Sequence, residues 1–123
     1  MKLNELYTAE LHDEGSDLQI LDGQKKATKL ILKLKGADSK AVRLHNKRQQ
    51  KAYFECIRKD QDFDDEKWLI EGLVEATISW RGVTDVFSKK LCKDLYENAP
   101  YVKEQADEFI AERVNFTKAK PKR

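Results

Sequence analysis

Punctuation is scarce in this sequence. Its 123 residues include two prolines, two cysteines and five glycines. No apolar run approaches the roughly 20 residues a membrane-spanning helix needs. The stretch "MKLNELYTAELHDEG" lacks the continuous apolar core of a secretory signal, so a cytoplasmic protein is expected. Cys56 and Cys92 stand alone, with no CxxC pair and no Cys/His cluster, which argues against a disulfide framework or a zinc site. They read as buried free thiols. Charge of one sign is also missing: 24 basic and 22 acidic side chains leave a net +2, too little for a uniform field that would gather nucleic acid or anionic lipid. Any electrostatic partner must meet a local patch.

What is present is enough for one core. A chain of this length buries well over half of the surface its unfolded form exposes, and 40% apolar residues can supply the interior while 37% charged residues cover it. The hydrophobic period divides the chain in two. In "TKLILKLKG", residues 28 to 36, Leu30, Leu32 and Leu34 point one way and Lys29, Ile31, Lys33 and Lys35 the other, the pattern of a half-buried strand. "DLQIL", 17 to 21, is a second apolar run, and Asp22-Gly23 can supply the positive dihedral of a hairpin turn between them. A third strand is expected from residues 5 to 12.

After Gly36 the period becomes helical. Asp38 or Ser39 can cap a helix running to about Lys59, with Val42, Tyr53, Cys56 and Ile57 inward and "RLHNKRQQK" solvated. Asp64 can cap the next helix, with Phe63 and Trp68 at hydrophobic-staple spacing. Leu69, Leu73, Ala76 and Trp80 form one row and Ile70, Val74 and Ile78 another, so a central core helix is predicted to continue to Trp80 and stop at Gly82. Ser88 caps a short helix carrying Leu91, Cys92, Leu95 and Tyr96. A last helix after Pro100 carries Val102, Ala106, Phe109, Ile110 and Val114. The expected fold is α+β: a small N-terminal antiparallel β-hairpin or three-stranded sheet followed by a bundle of about four α-helices. It forms a single domain over 1–116, β-rich over 1–36 and helical over 37–116, with 117–123 as a basic disordered tail.

Four features could carry chemistry. Asp60, Asp62, Asp64 and Glu71 fall at the first, third, fifth and twelfth places of a calcium loop, but Asp65 stands where glycine makes the turn and Lys67 replaces an apolar residue. Acidic residues gathering at a helix start is the plainer reading, and neither metal nor cofactor is expected. Lys40, Arg43, Lys47, Arg48 and Lys51 recur at three- and four-residue steps and, with the tail "KAKPKR", could grip phosphates. No interleaved aromatic platform or recognition-helix pattern accompanies them, so a solvated face is preferred to a nucleic-acid surface. His12 and His45 share no obvious site and have no nucleophile at recognisable spacing. The carboxylates lie on polar stripes rather than in the buried pairs that acid–base work requires. The sequence therefore reads as non-enzymatic, with no small-molecule substrate.

The entry "LKLKGADSKAVR", the break "ATISWRGVTD" and the closing "FSKKLCKDLYENAPYVKEQADEFIAERVNF" follow in an order that resembles the tail assembly chaperones of long-tailed phages or prophages. The likeness spans roughly residues 17 to 116 and rests on Gly36-Ala37-Asp38-Ser39, Trp80-Arg81-Gly82 and Asn115-Phe116. It departs at "RGVTDVF", which is more compact than that family's pattern. The resemblance implies a helper acting in the host cytoplasm that coats the tape-measure protein and helps major tail-tube subunits polymerise around it. Such a helper is absent from the mature virion, can self-associate, and in such families often has a longer frameshifted product. Binding would be helix-in-groove, with Trp80, Arg81, Arg43, Lys47 and Arg48 as candidate partner-binding residues. Trp80 can be a core plug or an exposed anchor. The alternatives are a structural subunit of the tail or head–tail junction, and a small nucleic-acid-binding regulator using the helix around Arg43 to Lys51.

Overall fold

A computed structural model of the chain describes residues 1–117, so all but Thr117 of the predicted basic tail lies outside the described residues. The fold is α+β, a three-stranded antiparallel sheet with five α-helices. In chain order these are α1 (Ala9–Glu14), β1 (Ser16–Leu21), β2 (Ala27–Leu34), α2 (Lys40–Arg58), α3 (Asp65–Ala76), β3 (Thr77–Arg81), α4 (Lys89–Asn98) and α5 (Pro100–Ala111). Single 3-10 turns lie at Leu3–Leu6 and Arg113–Phe116. Strand order is β1-β2-β3.

The hairpin forms as its alternation predicts, with Leu18 opposite Leu32 and Asp17 opposite Lys33. Its turn works differently. Positive φ falls on Lys25, at 62°, rather than on Gly23, because the Asp22 carboxylate accepts from the amides of Gln24 and Lys26 and shapes the loop itself. Leu32 and Leu34 are fully buried, each worth about 1.5–3 kcal/mol of transfer free energy. The opposite face of β2 sends Lys29 and Lys33 to solvent.

The third strand does not come from residues 5 to 12, which form the 3-10 turn and α1 instead. It comes from β3, where the sequence predicts helix. Leu69, Leu73 and Ala76 do lie on α3, but the helix ends at Ala76. The Thr77 hydroxyl donates to the Leu73 carbonyl at 2.7 Å, answering a helix-end acceptor, and Thr77 and Ile78 are β-branched residues followed by an aromatic. The open edge of β2 takes up this segment, pairing Leu32 with Trp80 and Lys33 with Ser79, and Ile78 is the extra residue of a bulge. Gly82 then carries φ +89°, and a Cβ there would sit 1.7 Å from the Lys29 carbonyl oxygen. It is the close approach of β2, rather than a helix end, that needs glycine at this position.

α3 is the hub, packing on α2, α4 and α5. Ser39, Asp64 and Ser88 cap α2, α3 and α4 by accepting from the amides of Val42, Lys67 and Leu91. The predicted staple forms as Phe63 stacked on Trp68 at 6.1 Å. α2 meets α3 through His45 rather than through Tyr53 and Ile57, which are exposed, because Gly72 leaves room for the imidazole and the Trp68 carbonyl lies 2.9 Å from its Nε2. Of the two predicted buried thiols, Cys92 is buried and Cys56 only half-buried, both unpaired. α5 stops at Ala111, which leaves Val114 in the closing 3-10 turn and exposed while Phe116 turns inward. No helix among the described residues is long and apolar enough to cross a membrane.

Candidate partner-binding surfaces

β3 ends where the sheet meets α4, and Trp80 stands at that corner. One side of its ring packs on the core. Its indole N–H donates to the Asp85 carbonyl at 2.8 Å, and Phe87 meets it edge-on at a centroid distance of 5.0 Å. The polar tip of the half-buried ring thereby gains its partner from the loop after β3. Beyond the ring lies a cleft of about 310 Å³, walled by Trp80, Leu30, Val83, Leu91 and Leu95, with Asp85 and Asp94 at its border. Leu30 lies on β2, and Leu91 and Leu95 are one turn apart on α4, so three elements build the cleft. Trp80 is both plug and wall. Val86, in the same loop as Val83 and Asp85, is 84% exposed.

Arg81 points the other way, to the solvent face of the sheet, where it reaches over β2 to pair with Asp17 of β1 at 3.0 Å. Arg43, Lys47 and Arg48 are exposed on α2, and none has an ion-pair partner among the described residues. Arg48 borders a separate depression shared with His45, Trp68, Glu71, Lys89 and Lys93. The five candidate residues therefore divide among three places, the cleft, the solvent face of the sheet and α2, and do not form one site. Leu30, Val83, Asp85, Leu91 and Leu95 were not singled out in the sequence. The i, i+4 spacing of Leu91 and Leu95 beside the buried row of Cys92 and Tyr96 is the signal that could have found them.

Polar chemistry in the interior serves the fold. The Thr77 hydroxyl lies 2.7 Å from the Tyr96 hydroxyl, and since Thr77 donates to Leu73, Tyr96 donates to Thr77. Burial raises the Tyr96 phenol far above its ordinary range and also raises the neighbouring Cys92 thiol. His12 and His45 belong to separate clusters. His12 is buried, stacked on Phe116 at 4.9 Å, and its Nδ1 accepts from the Asp38 amide, so in the neutral ring Nε2 carries the proton. Asp38 takes a two-pronged bond from Arg113 at 2.8 and 3.0 Å, and this bond holds its carboxyl below the ordinary value of 3.8. Together they tie α1 and the start of α2 to the closing turn.

The acidic stretch 60–71 does not wrap an ion: its residues from Asp65 onward are helical, and Asp64 is spent as the cap of α3. Among the described residues no three His, Cys, Asp or Glu side chains converge in a way that could hold a metal. Comparison with known protein families, with curated proteins and with solved structures gives no match to this chain.

Proposed function

We propose that the protein is a tail assembly chaperone of a long-tailed phage or prophage, non-enzymatic, which covers apolar seams of the tape-measure protein in the host cytoplasm while major tail-tube subunits polymerise around it. The observation that carries this reading is the cleft beside Trp80. It is open and apolar, its tryptophan donates to the Asp85 carbonyl, and its wall includes the exposed Val83. A volume of about 310 Å³ suits one or two aliphatic or aromatic side chains of a partner helix. Each leucine so buried contributes about 1.5–3 kcal/mol, enough for reversible cover and too little for permanent capture.

The resemblance in sequence supports the same reading through its three motifs, which fall at junctions of the fold. Gly36-Ala37-Asp38-Ser39 turns β2 into the capped start of α2. Trp80-Arg81-Gly82 ends β3. Phe116 seals against His12 and Phe109, beside Asn115, whose carbonyl accepts from the Ser16 hydroxyl. On this reading the finer architecture is an N-terminal hairpin serving a four-helix body, α2 to α5.

Co-expression with the tape-measure protein of the same replicon is the test, read together with the protein content of finished particles. The proposal expects a soluble complex with the tape-measure protein and particles that lack this chain. A structural tail or head–tail junction subunit would instead persist in purified particles, and that result would overturn the proposal.

A further inference from the structure

We propose that the outward face of α2 is a second docking surface, built for an amphipathic helix with acidic flanks on a partner polypeptide. The inference deepens the chaperone reading and rests on it.

The first observation is segregation of charge. From Lys40 to Phe54 the helix carries five cations and no carboxylate, in a chain whose acidic and basic residues number 22 and 24. Arg43, Lys47 and Lys51 follow at four-residue steps and so share a face. The first carboxylate on the helix, Glu55, is already taken by Arg58 and Lys59. Arg48 lies off this row, over the depression it shares with Glu71, and is not part of the surface.

The second is that the arrangement works against the helix that bears it. Like charges four residues apart repel, and cations near a helix start oppose its dipole. The first turn is relieved from outside, since the Asp13 carboxylate accepts from the Lys40 amide and Asp38 stands nearby. Beyond that turn no carboxylate on α2 offsets Lys47 and Lys51 before Glu55. Folded proteins break local rules of this kind at functional sites.

The third identifies the occupant. Leu44 and Phe54 beside the cationic row are 49% and 58% exposed. Phe54 follows Lys51 by three residues, so it continues the row. Cations interleaved with an aliphatic and an aromatic side chain complement a helix that carries carboxylates along an apolar stripe. A convex rod bearing aliphatic leucine is a poor stacking platform for bases, which favour aromatic-lined grooves.

The test uses the full chain, its Arg43→Glu/Lys47→Glu/Lys51→Glu variant and three probes. One is a helical peptide of about 20 residues, matching α2 at 1.5 Å per residue, with a leucine stripe flanked by glutamates. The second is its counterpart with lysine flanks, and the third a single-stranded RNA of similar span. The proposal expects the wild type to bind the glutamate peptide in preference to both other probes, in a salt-sensitive way. The variant should lose about tenfold or more, since three exposed charge pairs become repulsive, and should gain affinity for the lysine peptide. Arg43→Gln/Lys47→Gln/Lys51→Gln removes the repulsion within α2 instead of inverting it, and the melting temperature of this neutral variant should hold or rise. Unchanged glutamate-peptide affinity in the glutamate variant, tighter binding of RNA than of peptide, or a lower melting temperature in the glutamine variant would each overturn the inference. The chaperone reading is judged separately: if the variant keeps the tape-measure protein soluble as the wild type does, only the role of α2 falls, whereas if neither does, the chaperone reading falls.

Discussion

Replacing Thr77 by valine probes the point where α3 gives way to β3, the junction on which the position of Trp80 depends. The substitution keeps the β-branched shape and removes one oxygen. That oxygen donates to the Leu73 carbonyl and accepts from the Tyr96 hydroxyl, both at 2.7 Å and both buried. The Leu73 carbonyl keeps a second donor, the Thr77 amide, so its loss is small. Tyr96, 1% exposed, is left with no oxygen acceptor and only the weakly accepting sulfur of Cys92 beside it. An orphaned buried donor costs about 1–3 kcal/mol, so Thr77→Val should cost about 2. Tyr96→Phe should cost less, about 1 kcal/mol, because Thr77 still donates to Leu73 after the phenol is gone. The double variant leaves no orphan and should be no less stable than Thr77→Val alone, a departure from additivity of about 1 kcal/mol. Urea denaturation measures all three directly, and thermal melts should shift by about 3–5 °C per kcal/mol at this chain length. Additive costs, or a neutral Thr77→Val, would refute the claim that this hydroxyl pair fixes the junction.

Other expectations concern the same interior and its edges. Because the fold raises both the Cys92 thiol and the Tyr96 phenol above their ordinary values of 9.0 and 10.0, the unfolded chain releases these protons first. The contribution of these two groups to stability should therefore be constant from neutral pH to about pH 9 and fall as pH rises beyond it, with a shallower fall in Tyr96→Phe, as alkaline urea titrations would record. Gly82→Ala should break the β2–β3 pairing and cost several kcal/mol, since its Cβ would meet the Lys29 carbonyl at 1.7 Å; a variant that melts like the wild type contradicts this. The Asp38 carboxyl should titrate below 3.8 by NMR and return towards that value in Arg113→Gln. Its contribution to stability is thus present at neutral pH and lost as the medium is acidified through its folded pKa.

Local signals carried the hairpin, the caps and the staple because each depends on residues close in sequence: the alternation of Leu30, Leu32 and Leu34, the hydroxyls of Ser39 and Ser88, and the pair Phe63 and Trp68. β3 was illegible for the opposite reason. Ala76 to Trp80 continues an apolar row at helical spacing, and only the unpaired edge of β2, more than 40 residues earlier in the chain, makes strand the better state. Tertiary context overrode the period. Tyr53 and Ile57 were misplaced for a related reason: the face α2 turns inward is set by the space at Gly72 that admits His45, which no hydrophobic count on α2 contains. Of the candidate site, Trp80 was visible as an aromatic in a charged chain. Its cleft was not, being assembled from β2, β3 and α4.

The central claim, that the cleft beside Trp80 holds an apolar side chain of another polypeptide, is tested most directly by the fluorescence of Trp80 itself. In a Trp68→Phe background it is the remaining indole. Titration with a helical segment of the tape-measure protein should shift its emission to the blue in a saturable way. Leu91→Asp, a change at the partly exposed lip of the cleft, should abolish that shift while leaving the melting temperature within a few degrees. Binding of equal strength with Leu91→Asp, or saturable binding that leaves the Trp80 emission unmoved, would contradict the account.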